Sequence, residues 1–177
     1  ITEQKQTEEA LHVERDSLAA IFASSPVGML LLDEHMTIVA ANDVIAKMVS
    51  RGKEEIIHQR GVGGLGCVHS HESKKGCGHS PACVDCSLRQ VVHNVVKSGT
   101  SVRGAEIQGV MTIDGQEHSP WMRVSAEPII INGRKNIVVA MDDISDLKYA
   151  QEALIEAKKE VDRANHELVA ALRQASA

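Results

Sequence analysis

The chain has 177 residues, 43% hydrophobic and 24% charged, with a net charge of −5. These values suit one ordinary domain, or a smaller one with helical extensions, and exclude a disordered chain; no apolar run approaches the ~18 residues that span a bilayer. Aromatic residues are 2% of the chain and no Lys/Arg-rich block occurs, so the stacking platforms and phosphate footprint of a nucleic-acid binder are missing.

Residues 1–23 predict a helix, with Leu11, Leu18, Ile21 and Phe22 on one side; Ser24-Ser25-Pro26 ends it. Met29 to Asp33 and Thr37 to Ala41 predict a hairpin around Glu34-His35. Asn42 is placed to cap a helix running to about Val49, with Val44, Ile45 and Met48 as its apolar face. Arg51 to Cys86 is rich in Gly, His and Cys and lacks periodicity. A helix over Ser87 to Ser98 follows from the spacing of Leu88, Val91, Val92 and Val95, with Gly99 as its stop.

Three strands are expected after it, at about Val102 to Ile113, Glu117 to Pro128 and Asn136 to Met141. Asp114-Gly115 and Asn132-Gly133 are hairpin turns, and Pro120 predicts an edge or a bulge. Residues 147–177 predict a long helix. Leu147, Leu154, Val161, Leu168 and Ala175 recur every seven residues, and Ala150, Ala157, Ala164 and Ala171 repeat three positions later. That seam predicts a parallel homodimeric coiled coil rather than a helix docked on its own domain.

Several of these segments carry a resemblance. Ile21 to Gly28 looks like an entry into a first strand. Ile38-Val39-Ala40-Ala41-Asn42 looks like a second strand closing on Asn. Pro128-Ile129 to Met141 looks like a last strand, and Asp142-Asp143-Ile144-Ser145 like its exit motif. Together they resemble the PAS domain family over about residues 18–146. The resemblance implies an α+β fold: a five-stranded antiparallel sheet with helices on one face, flanked by an N-terminal helix and a C-terminal coiled-coil helix. The expected division is a linker helix at 1–23, a sensor domain at 24–146 with a Cys-rich insertion at 58–87, and a signalling helix at 147–177. PAS domains are mostly sensor modules of histidine kinases, cyclases and chemoreceptors. A homodimer through the flanking helices and a downstream effector domain are therefore implied, with Asp142 to Ser145 as the signal exit.

The cysteines are what an ordinary PAS plan does not explain. All four lie between residues 67 and 86, as Cys67-Val-His69-Ser-His71, Cys77-Gly-His79 and Cys83-Val-Asp-Cys86. One tight C-x2-C turn aims two thiolates at a common ion, and two more on a Gly-rich loop can complete a set of four. Cys86 stands where the Ser87 helix begins, where the helix dipole favours a thiolate. A metal site is the preferred reading; a disulfide switch and unligated loop thiols are the alternatives. Uneven all-Cys spacing tips the choice slightly toward an iron–sulfur cluster over zinc. His69, His71 and His79 are alternative ligands. The insertion, ending in Cys86-Ser-Leu-Arg89, resembles that of a subset of PAS sensors in bacterial signalling proteins. It is loosely similar to PAS sensors that hold an iron–sulfur cluster through four cysteines.

Clustered cysteines in a chain this long place it in the cytoplasm, since secreted disulfide scaffolds are smaller and richer in Cys. An extracytoplasmic sensor with two disulfides is the competing case. No basic-then-apolar leader follows Ile1.

Other motifs are weaker. Gly61-Val-Gly63-Gly-Leu-Gly66 matches G-x-G-x-x-G but does not join a strand to a helix, so it reads as hinge glycine. Haem is not expected: Ser87 stands where C-x-x-C-H needs His, and His93 sits among Gln90, Asn94 and Lys97 on what reads as a wet face. No flavin-adduct motif and no catalytic constellation stand out, so neither flavin nor enzymatic activity is expected of this segment. The expected function is a PAS sensory domain responding to redox state or oxygen. A zinc-stapled dimerisation module and a small-molecule PAS pocket are the alternatives.

Overall fold

The computed structural model describes residues 2–176. The chain divides after Asp143 into two units, Ile1–Asp143 and Ile144–Ala177.

In the first unit, helix α1 (Thr2–Ser24) leads into strand β1 (Gly28–Leu32). The Leu11 side chain lies outside the described residues; Leu18 and Ile21 of the expected apolar side are exposed. Strand β1 pairs antiparallel with β2 (Ile38–Ala41), Leu30 opposite Ala41, as the hairpin pattern predicts.

Asn42 fastens the next junction. Its Oδ1 accepts from Ile45 N at 3.1 Å, capping helix α2 (Asp43–Met48), and from Met29 N at 2.9 Å. Its Nδ2 donates to Val27 O at 2.9 Å and Phe22 O at 3.2 Å. All four bonds of the amide are made on a side chain that is 1% exposed. One residue thereby joins the end of α1, the start of β1 and the cap of α2.

A short helix α3 (Lys53–Ile56) and three 3-10 turns (Gly61–Leu65, Val68–His71 and Pro81–Cys83) occupy the aperiodic stretch. Helix α4 (Ser87–Ser98) has the expected bounds, and Gly99 closes it in the left-handed region at φ +66°. Its Leu88, Val92 and Val95 are buried on one stripe.

The remaining strands are β3 (Val102–Gln108), β4 (Met111–Ile113), β5 (Gln116–His118), β6 (Trp121–Ile131) and β7 (Arg134–Asp143). The main sheet is antiparallel, in the order β2-β1-β7-β6-β3. The first and last strands of the sequence therefore lie side by side, Gly28 opposite Met141 and Leu32 opposite Ile137. Asp114-Gly115 and Asn132-Gly133 turn their hairpins with both residues at positive φ, the geometry that matches strand twist.

One expected strand pair differs. The 102–113 and 117–128 strands each break, and their far ends form a separate ribbon, β4–β5. Pro120 has no N–H to continue the ladder, and only its carbonyl is used, accepting from Gly109 N at 3.2 Å. A Cβ on Gly109 would stand 2.9 Å from Met122 Cε, so the partner strand breaks at the same level on a residue that needs no side-chain room.

The core is aliphatic. Leu30 and Leu32 of β1, Met122, Val124 and Ala126 of β6, and Ile137, Val139 and Met141 of β7 meet the stripe of α4 and Ile45 of α2. Each of these side chains but Ala126 contributes about 1.5–3 kcal/mol by leaving water.

The second unit is helix α5 (Ser145–Ala175), which buries none of its side chains. Its heptad residues Leu147, Leu154, Val161 and Leu168 are all exposed. Among the described residues, no helix is long and apolar enough to cross a membrane.

Candidate functional site

The cysteine segment is tied to the domain at both ends. At its start Cys67 bridges Met111 of β4; Val68 N donates to Val110 O at 3.3 Å, and Thr112 N to Gly66 O at 2.8 Å. At its end Cys86 is the N-cap residue of α4. The two halves between are laced by one carboxylate. Glu72 takes His69 Nδ1 at 2.6 Å and the Ser80 hydroxyl, while Ser80 Oγ accepts from Ala82 N at 3.2 Å. These two partners, His69 first, hold the Glu72 carboxyl below its usual range.

All four cysteines are free thiols; Cys77 and Cys83 are buried, Cys67 and Cys86 half-buried. One backbone N–H is bonded to a sulfur: Gly78 N donates to Cys83 Sγ at 3.3 Å. The peptide groups of His69, near Cys67, and of Val62 and Gly63, near Cys77, favour those thiolates electrostatically. Donors of this kind stabilise thiolates and tune metal–thiolate centres.

Without a cation, burial dominates. It pushes the Cys67 and Cys77 thiols up. The neighbouring peptide groups pull the other way, while possible charges on the other cysteines add to the rise. Cys86 stands at the head of α4 as expected, yet its sulfur makes no capping hydrogen bond.

Among the described residues, no three His, Cys, Asp or Glu side chains converge as ready ligands of one ion. As a donor set the four cysteines fit a thiophilic metal: thiols only, partly dehydrated, with the Gly78 N–H directed at the Cys83 sulfur. The histidines are placed differently from one another. His69 is held by Glu72, whereas His71 and His79 are exposed.

The G-x-G-x-x-G run forms a packed 3-10 turn beside Cys77, with Gly61 at φ +53°. A Cβ there would lie 3.1 Å from Cys77 Sγ, and one on Gly64 would lie 2.8 Å from Ile56 O. The turn thus belongs to the cysteine site, a role hidden in the sequence because it is performed by backbone atoms.

His93 also departs from expectation: it is half-buried and lines a cavity beneath the sheet together with Arg89. At the signal-exit motif, Asp142 and Asp143 finish β7, Ile144 stands between, and Ser145 opens α5.

A five-stranded antiparallel sheet entered through a hairpin, with short helices and one longer helix over its inner face, defines an α+β domain. The chain has the PAS fold. It is similar to the crystal structure of the PAS domain of an HTR-like protein from Haloarcula marismortui. That match has a TM-score of 0.52 and 18% identity, and covers 79% of this chain and 99% of that one. It is similar as well to the PAS domain of a protein from Colwellia psychrerythraea, with a TM-score of 0.53, 15% identity and 74% and 97% coverage. An RNA-binding Light-Oxygen-Voltage receptor aligns at a TM-score of 0.54 and 11% identity, over 82% of this chain and 37% of that one. No family model matches the sequence, and no curated protein matches it.

Proposed function

We propose that this chain is the sensory domain of a signal-transduction protein, in which Cys67, Cys77, Cys83 and Cys86 hold an iron–sulfur cluster or a zinc ion. One observation carries the reading: the chain's only cysteines gather on a segment tied to both the β4–β5 ribbon and α4, with the backbone N–H of Gly78 bonded to the Cys83 sulfur. A cluster, favoured by the uneven all-Cys spacing, would supply reversible electron transfer; zinc would supply a fixed clamp. The protein's part is to present sulfur, exclude water and give up thiol protons when the metal binds. Since Cys67 and Cys77 hold their protons tightly, metal uptake is expected to strengthen as pH rises.

In this reading, a change of cluster state alters the cysteine segment and the seating of α4 on the sheet. The output leaves through Asp142 to Ser145 into α5, which pairs with a second copy through its exposed heptad seam and continues toward an effector domain. The domain itself performs no catalysis, and the cytoplasm is its proposed compartment.

Anaerobic purification followed by absorption spectroscopy and metal analysis tests the proposal. Visible sulfur-to-iron absorption that bleaches on oxidation supports the cluster. Stoichiometric zinc without any redox response identifies a stapled dimerisation module instead. A colourless, metal-free protein whose folding is unchanged by Cys83→Ser overturns the metal site.

A further inference from the structure

A cleft of about 640 Å³ opens between the stretch around α3 and the cysteine segment. Arg51, His58 and Arg60 line it from the α3 side, and His71, Lys74 and Lys75 from the segment. Four permanent cations therefore stand against one carboxylate, Glu55, in a chain whose net charge is −5. That carboxylate is already engaged: its Oε2 accepts from Gly52 N at 2.8 Å. Among the described residues, the side chains of Arg51, Arg60, Lys74 and Lys75 have no ion-pair or hydrogen-bond partner.

We propose that this cleft binds a diphosphate, free or as the diphosphate group of an ester such as a nucleoside diphosphate. The volume lies within the ~300–1,000 Å³ of small-molecule sites. Arg51 carries the argument furthest. Its side chain is half-buried, with Nη2 3.0 Å from where a Gly66 Cβ would stand. Gly66, at φ +84°, leaves the guanidinium that room. A half-buried charge without a partner costs free energy that an anion recovers. Guanidinium forks and ammonium groups are the donors that match phosphoryl oxygens. No Val, Leu, Ile, Met, Phe, Tyr or Trp is among the described lining residues, so nothing there selects an apolar body or stacks a base. Cations reach the cleft from two segments, and two linked phosphoryl groups engage both where a single one engages one.

Gly76 and Cys77 form part of the same wall. A bound diphosphate would bridge the stretch around α3 to the cysteine segment and restrain the turn at Gly76. The site uses no thiol as a ligand group, so it stands apart from the metal reading, and either can fail alone.

Calorimetric titration of the full chain compares pyrophosphate with orthophosphate and with a short polyglutamate peptide, at one ionic strength and without divalent cations. Pyrophosphate is expected to bind at least about tenfold more tightly than either, the gain of one further charge-assisted hydrogen bond. Lys74→Gln, Lys75→Gln and Arg60→Gln, all at exposed positions, should each weaken pyrophosphate several-fold, and Arg51→Gln should weaken it most. Lys135→Gln, at an exposed position on β7, should leave it unchanged. ADP and AMP separate the two sources. ADP matching pyrophosphate, with AMP weak, assigns the site to diphosphate esters; ADP much weaker than pyrophosphate assigns it to free diphosphate. Pyrophosphate no tighter than orthophosphate overturns the proposal, as does a peptide that binds more tightly, which would mark an acidic protein partner. Affinity unchanged in all three exposed variants, as metal capture by pyrophosphate would give, or an equal loss in Lys135→Gln, also overturns it. Should Arg51→Gln fail to fold, the exposed positions still decide the outcome.

Discussion

Cys77 is where backbone, thiol and cavity meet, and its surroundings leave little freedom. Gly61→Ala places a methyl 3.1 Å from its sulfur at a φ of +53°, so two penalties coincide: contact and a left-handed backbone. The variant is expected to lose about 1–3 kcal/mol of stability and to change metal content. Thermal melting with and without chelator checks both effects. The raised Cys67 and Cys77 thiols give a second expectation. As pH climbs through the ordinary thiol range near 8.5, the unfolded chain releases these protons while the folded chain keeps them. Stability present below that range is lost above it, and continues to fall until the folded thiols ionise. The melting temperature of reduced, metal-free protein should therefore decline above about pH 8, less so in Cys77→Ala. The cysteines announced themselves by clustering. Gly78, which donates to the Cys83 sulfur, did not, because it serves through an N–H group that every residue but proline carries. Arg51 and Lys74 were equally silent, since only the fold brings such distant positions to one cleft.

Among the elements, α4 and its flanking signals were readable to the residue, because a local stripe and a local Gly stop define it. The β3–β4 break was not, because the methionine end that crowds Gly109, Met122 Cε, comes from another strand. The bulge or edge expected at Pro120 was the visible half of that break. The junction at Asn42 was half readable too: the cap on α2 follows from sequence, whereas the bonds to Met29, Val27 and Phe22 need the tertiary fold. Asn42→Ala removes the cap and leaves buried backbone groups unpaired, so it should cost about 2–4 kcal/mol. Asn42→Asp keeps the acceptor and loses both donor bonds; it should fall between the two. Urea denaturation at constant m-value measures the series.

For the assembled protein, α5 carries a clear expectation. Its heptad leucines are exposed along a helix that buries nothing, which is unfavourable for a helix left single in water. The proposed pairing predicts a concentration-dependent dimer in sedimentation equilibrium. Leu154→Asp should shift it to monomer while leaving the thermal transition of the sheet domain in place. A monomer at all concentrations would remove the coiled coil from the proposed output path. The seam was readable because a seven-residue period is a property of the sequence alone.

The seam between Cys67 and the β4–β5 ribbon has a consequence for isotope exchange. The amides of Thr112 and Val68 are held by carbonyls across that seam, at Gly66 and Val110, and they exchange with solvent only when the seam parts. Deuterium uptake at Thr112 is thus a clock for the cysteine segment, kept by a residue with no sulfur of its own. Metal that draws the segment tight should slow that clock, and oxidation or chelation that releases it should let the clock run faster, while the amides of α5 keep their own time.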